Sequence, residues 1–249
     1  MIWQPTQIPP PLRAHEVHIW RVSLDVSPAV QSRYFALLND AEQQRALRFY
    51  RSIDQMHFTM ARGCLRILLG HYCQCRAQAV ALQYQQQGKP YVPKGHIQFN
   101  LSHAYGHALL AFSRDRVLGV DLEYEGRDVE WESLSHRFFA QQEHLAIMAE
   151  STDAEQKRAF FRCWTRKEAY VKAHGDGLMR NLQEFRVSVG EEAVLLADEE
   201  DPIHLSQWKL YAIDMSDIPY QAALVVQVAE PSPTFQHLAF QIEHNRPMG

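Results

Sequence analysis

The sequence predicts an α+β fold built from a duplicated unit, and three observations carry that expectation. Segments that alternate apolar and polar residues are interspersed with segments whose apolar residues recur at helical spacing. In each half a long helical stretch precedes strands that end in a small-residue, leucine-rich pattern. The two patterns, Gly106-His107-Ala108-Leu109-Leu110-Ala111 and Tyr220-Gln221-Ala222-Ala223-Leu224-Val225, resemble one another locally. A boundary near residue 118 divides the chain into subdomains 1–118 and 119–249. Ligands favour the seams between such units.

The elements follow from their periodicities. His15 to Val26 alternates (Val17, Ile19, Val22, Leu24) and reads as a strand. Ser27-Pro28 opens a helix, Ala41 to Tyr50 is a second that carries arginines, and Asp54 to Cys73 is a third. The third has an apolar stripe at Phe58, Ala61, Leu65, Leu68 and Leu69. Gln83 to Tyr91 is a strand and turn around Gly88-Lys89-Pro90. Strands are expected at Ile97 to Leu101, at His107 to Phe112 and leading into Asp121. Helices follow at Val129 to Phe138, Gln141 to Met148 and Ala154 to His174. Phe185 to Val189, Trp208 to Ile213 and Tyr220 to Val228 complete the strands. The Pro-rich stretch from Met1 to Pro11 reads as an extended surface arm.

Composition bounds the function. The 249 residues suffice for a sizeable core, and 46% apolar with 22% charged residues is ordinary for a globular chain. A net charge of −4 argues against a partner that needs a broadly basic surface, such as nucleic acid. No apolar run is long enough to span a membrane, and the N-terminus lacks a signal-peptide pattern, so a cytoplasmic location is expected. Four cysteines do not make a disulfide scaffold in a chain of this length. His71, Cys73 and Cys75 lack the fourth ligand of a structural metal cluster, and cysteines that fill apolar space are the simpler reading.

The chemistry concentrates between Asp121 and Lys172. Asp121 and Glu123 follow the apolar run Val117-Leu118-Gly119-Val120, so they end a strand and point to one face. Two neighbouring carboxylates repel unless a cation lies between them, and a hard ion such as magnesium takes one or two carboxylates together with substrate phosphates. Glu168 and Lys172 lie one helical turn apart. Arg166 and Lys167 stand beside them, with Lys167 pointing elsewhere, as a solvated lysine or a partner contact. Ser102-His103 invites a hydrolase reading. Adjacent strand residues face opposite ways, however, and no G-x-S-x-G elbow is present.

Six segments together resemble the 4′-phosphopantetheinyl transferases of the pseudodimeric, surfactin-synthetase-activating type. They are Gly88-Lys89-Pro90, Phe99-Asn100-Leu101-Ser102-His103, Gly119-Val120-Asp121-Leu122-Glu123, Arg137-Phe138-Phe139 with Glu143, Trp164 to Lys172, and Gly175-Asp176-Gly177-Leu178. They span roughly residues 41–190 in the family's order. The resemblance implies two similar subdomains with the active site at their interface. It implies transfer of phosphopantetheine from coenzyme A to a serine of an apo acyl or peptidyl carrier protein, leaving 3′,5′-ADP. Asp121, Glu123 and Glu168 match the metal acids, for magnesium with manganese as the alternative. Lys172 pairs with an acid or a phosphate.

The resemblance offers Glu143 and Glu168 as the base. A metal-held carboxylate is the poorer of the two, because the cation lowers its pKa. Arg45, Arg62, Lys89, Ser102 and His103 are carried over as contacts to coenzyme A. Glu42 stands where some members have a basic residue, and Asp176 where lysine is frequent. Trp131, Leu134 and Phe138 are either carrier anchors or core. A pseudodimer predicts a monomer. The competing readings are a metal-dependent phosphohydrolase and a non-catalytic binding module.

Overall fold

Apolar alternation and helical stripes become the following elements of the computed structural model. The first part of the chain holds β1 (Gln4–Thr6), β2 (Glu16–Ser23), α1 (Pro28–Phe35), α2 (Asp40–Leu47) and α3 (Ser52–Tyr72). Next come β3 (Gln83–Tyr84), β4 (Pro90–Tyr91), β5 (Gln98–Ala104), β6 (His107–Ser113) and β7 (Leu118–Tyr124). Helices α4 (Trp131–Phe138), α5 (Gln141–Met148) and α6 (Asp153–His174) follow. The chain continues through β8 (Phe185–Val187), β9 (Leu195–Asp198), β10 (Trp208–Ala212), β11 (Tyr220–Gln227) and β12 (Thr234–Phe240). The structure describes residues 2–93, 97–175 and 180–242; Asp176, Gly177 and Leu178 lie outside them.

The architecture is mixed α+β, and the chain divides into two compact units. One comprises 1–83, 91–115 and 234–249, the other 84–90 and 116–233. A single cut between 118 and 119 would differ from this in three places, one of them residues 116–118, which go with the second unit. The segment 84–90 goes with the second unit, and the last stretch returns to the first.

In the first unit a five-stranded sheet runs β1-β12-β2-β6-β5. Its centre, β2, pairs parallel with β12 and antiparallel with β6. A central strand covered on both faces favours apolar residues at consecutive positions, and Val17 to Trp20 are all buried. Helix α3 covers the sheet with Met60, Ala61, Cys64, Leu65, Leu68 and Leu69, packed into one core with Trp20, Val22, Leu110 and Phe112. Burial raises the Cys64 thiol well above its ordinary range. Tyr72 pins the end of α3 to the sheet: its hydroxyl accepts from Trp20 Nε1 at 2.9 Å and meets His18 Nδ1 at 2.8 Å.

The N-terminal arm is a correction. Gln4–Thr6 is a strand, paired parallel with Leu238–Phe240. Neither partner was anticipated from sequence. A three-residue strand flanked by prolines has no period to read, and its partner lies more than 230 residues away.

In the second unit β11 is the centre of a three-stranded antiparallel sheet, β10-β11-β7. The long α6 lies against it. Thr152 caps α6 by accepting from Glu155 N at 3.2 Å. Gly175, at φ +87°, ends it in the left-handed conformation, where Cβ-bearing residues are strained. The core is Phe139, Ile147, Phe160, Phe161, Tyr170, Phe185, Ala223 and Val225 among others. Trp131, Leu134 and Phe138 are only partly buried and pack on its edge.

Candidate functional site

Gly119 fixes the site's geometry. A Cβ at this position of β7 would lie 2.2 Å from the Ala169 carbonyl oxygen and 2.3 Å from Ala173 N, both backbone atoms of α6. The strand therefore rests directly on the helix backbone, which only glycine permits. Two residues further, Asp121 turns toward the same helix. Its Oδ1 pairs with Lys172 Nζ at 2.5 Å, the carboxylate nearly buried and the lysine side chain 28% exposed. Glu123 follows on the same face, half-buried, and is paired with Arg127 at 3.5 Å.

The electrostatics show that the acids are near one another. Burial pushes Glu123 up to about 7, and the negative charge of Asp121 adds to it; Arg127 and Lys172 pull it back, and Glu168 contributes further repulsion. Glu168 is raised by burial and then by Asp121, with Lys172 opposing. Three carboxylates thus share a small volume with one ammonium. Among the described residues no three such side chains form a ready-made metal cage. Magnesium does not require one, because it usually keeps waters and takes phosphate oxygens beside one or two carboxylates. The oxygen-only donor set and the surplus of negative charge fit such an ion.

Lys89 belongs to the same unit and reaches the end of α6. Its Nζ donates to the carbonyls of Lys172 at 2.6 Å, Ala173 at 3.0 Å and Leu118 at 3.3 Å. A cation at a helix C-terminus satisfies carbonyls that have no partner within the helix. Here it also ties α6 to β7 beside Gly119. All three ammonium protons are engaged, so contact with a ligand would have to replace one of these bonds.

Glu143 stands elsewhere. It is buried, and its carboxylate accepts from Val187 N at 2.7 Å and Ala140 N at 3.0 Å and pairs with Lys167 Nζ at 2.8 Å. Burial raises its pKa, and Lys167 with the two backbone donors opposes that. Lys167, expected as a solvated lysine or partner contact, is fully buried instead. It donates to Leu182 and Phe185 carbonyls at 2.7 and 2.6 Å and faces the Phe185 ring at 4.4 Å. The Glu143–Lys167 pair joins α5, α6 and β8, and the structure does not bring Glu143 together with the Asp121 group. Arg166 is likewise internal: it donates to the carbonyls of Ser188, Gly190 and Glu191, and burial first, then Arg162, lowers it to about 10. Lys167 and Glu168 are adjacent, yet a turn of about 100° sends them to different faces.

The first unit holds the remaining candidates. Ser102 is buried and His103 exposed, as alternation on β5 requires. Arg62 is buried, with Nε 3.6 Å from Glu42 Oε1, while Arg66 Nε sits 2.5 Å from Glu42 Oε2. Glu42 therefore acts as counterion to two arginines. It also closes the capping box of α2 with Asn39. Arg45 is exposed and lies over the Phe58 ring at 5.1 Å.

Sequence reasoning missed the structural duty of Lys89, Arg66, Arg166 and Lys167. A signal existed for Lys167, since Cys163, Tyr170 and Val171, three and four residues away, are apolar.

Comparison with known proteins gives the family. The 4′-phosphopantetheinyl transferase superfamily profile matches residues 117–228, and the 4′-phosphopantetheinyl transferase N-terminal profile matches residues 26–114. The 4′-phosphopantetheinyl transferase HetI of Nostoc sp. is 37% identical over 75% of this chain and 81% of its own. The corresponding figures for the Bacillus subtilis transferase Sfp are 25%, 76% and 83%. For the Xenopus laevis L-aminoadipate-semialdehyde dehydrogenase-phosphopantetheinyl transferase they are 31%, 64% and 60%. The chain belongs to the 4′-phosphopantetheinyl transferase superfamily. Its reaction is transfer of the phosphopantetheine group from coenzyme A to an apo carrier protein.

Proposed function

We propose that Asp121, Glu123 and Glu168 hold a magnesium ion, with manganese able to replace it, and that Lys172 serves the same centre. The observation that supports this is the mutual repulsion of the three acids around one lysine. When bound, the ion neutralises the pyrophosphate of coenzyme A and the charge that builds on the leaving phosphate. The residues do the rest. Lys172 holds Asp121 in place through their 2.5 Å contact. Gly119 and Lys89 fix β7 against α6, so the acids stay in register.

In the reaction the carrier serine oxygen forms a bond to the β-phosphorus of coenzyme A. The pyrophosphate P–O bond breaks, and 3′,5′-ADP departs with the electron pair. The serine proton passes to a water that Glu168 holds, since a carboxylate on the metal is itself the poorer base. Glu143, enclosed by Lys167 and two backbone donors, is assigned to positioning α5 rather than to the proton. Arg45, Arg62, Ser102 and His103 are proposed as coenzyme A contacts on the family resemblance, as is Lys89 once a carbonyl is exchanged for ligand.

A duplicated, pseudodimeric build is supported within each unit by a long helix, α3 or α6, that packs on antiparallel strands. A monomer follows from that reading, and a cytoplasmic location is proposed beside it; no helix among the described residues is long and apolar enough to cross a membrane. The test is to incubate the protein with coenzyme A, magnesium and a panel of apo carriers of fatty acid, polyketide and peptide synthesis, then weigh the carriers. Gain of one phosphopantetheine by at least one carrier is expected. No gain on any carrier sinks the proposal, and phosphate release without a carrier would favour a phosphohydrolase.

A further inference from the structure

In the second unit a cavity of about 650 Å³ opens between the end of α4 and the start of α5. His136, His144, Gln183, Arg186 and Glu199 are on its walls, and the charges of the last two offset each other. The two imidazoles meet nearly at right angles, with ring centroids 5.2 Å apart.

That spacing has a chemical meaning. With metal–nitrogen bonds of about 2.0–2.1 Å, a bound ion lies about 3.2 Å from each ring centroid. Two imidazoles at a tetrahedral angle then have centroids about 5.2 Å apart. His144 is also prepared for the role. Ser135, fully buried, donates its single hydroxyl proton to the Glu132 carbonyl at 2.8 Å. Its 2.9 Å contact with His144 Nδ1 therefore runs from the ring N–H to the serine oxygen. This tautomer leaves Nε2 with its lone pair. An imidazole whose other nitrogen is held by a buried hydrogen-bond acceptor is the usual arrangement of a metal-ligating histidine.

We propose that His136 and His144 form a two-imidazole site for a divalent transition-metal ion such as zinc, nickel or copper, distinct from the carboxylate group at Asp121. Imidazole nitrogen suits these ions, whereas magnesium prefers oxygen. No third histidine, cysteine or carboxylate among the described residues completes a cage. Water fills the other positions, which makes the site open and exchangeable. Binding clips the end of α4 to α5, the helix that Glu143 anchors to Lys167.

The test uses the untagged full-length chain, titrated with nickel by calorimetry and with copper(II) by electron paramagnetic resonance. The wild type is expected to bind one copper with the hyperfine pattern of two nitrogens. His136→Ala and His144→Ala should each weaken nickel binding on the order of tenfold or more, and Ser135→Ala on the order of tenfold to a hundredfold. Asp121→Ala should leave this binding unchanged. Unchanged affinity and hyperfine pattern in the His136→Ala/His144→Ala double variant would overturn the site, as would absence of nitrogen-coordinated copper in the wild type. Loss of binding in Asp121→Ala instead would assign the metal to the carboxylates.

Discussion

Replacing Gly119 by alanine probes the link between packing and catalysis. The new methyl group would meet the Ala169 carbonyl oxygen at 2.2 Å and Ala173 N at 2.3 Å, where ordinary contact begins at 3.4 Å. Both atoms are helix backbone, and neither can swing aside. Relief requires β7 and α6 to part by about 1 Å, and overpacking of that kind costs about 1–3 kcal/mol. The obstacle being backbone, the upper end applies. The same displacement pulls Asp121 away from Lys172 and the acids out of register. A misplacement of about 1 Å costs on the order of a hundredfold in rate. Urea unfolding and a carrier-loading assay under saturating coenzyme A measure the two effects. A Gly119→Ala protein within about twofold of wild-type rate, and within about 0.5 kcal/mol of its stability, would refute the reasoning.

Other outcomes follow from the same contacts. Glu143→Gln leaves Lys167 buried without a counterion and should cost about 3–5 kcal/mol in urea unfolding, with much of that restored in Glu143→Gln/Lys167→Met. Where Glu143→Gln stays folded, its carrier-loading rate should persist; loss of turnover at unchanged stability would make Glu143 the base after all. Lys89→Met removes three carbonyl contacts at the α6 terminus and should lower stability by about 1–3 kcal/mol, seen as a shifted thermal midpoint. Burial holds His18 below its ordinary value of 6.5 despite Glu16, so the folded protein resists protonating it. The unfolded chain binds that proton first. Stability should therefore fall as pH drops below about 6.5, by up to about 1.4 kcal/mol per pH unit, and level off once the folded His18 protonates. His18→Gln should flatten this slope in urea titrations followed by tryptophan fluorescence.

Much of the fold was legible because its periodicities are long. The three helices of the first unit and α4 to α6 fall within a few residues of the sequence reading, since each has an apolar stripe or a cap such as Thr152 or Gly175. β1, β9 and β12 were not legible. β1 and β9 are short, and β12 owes its place to parallel neighbours distant in sequence. At the site, alternation alone places Asp121 beside Glu123, and one helical turn places Glu168 beside Lys172. What brings strand to helix is the absence of a side chain at Gly119, and no periodicity reports that. Nor does sequence reveal that Lys89 and Arg166 spend their charge on backbone carbonyls. A cation satisfied by main-chain oxygens leaves no acidic partner nearby in the sequence to mark it.

Manganese binding followed by electron paramagnetic resonance, with and without coenzyme A, tests the metal assignment most directly. The wild type should take up one ion, more tightly when coenzyme A is present. Asp121→Ala and Glu168→Gln should lose that tight site while their circular dichroism and unfolding midpoints stay close to wild type. Manganese bound with undiminished affinity by both folded variants would contradict the assignment of these acids to the metal.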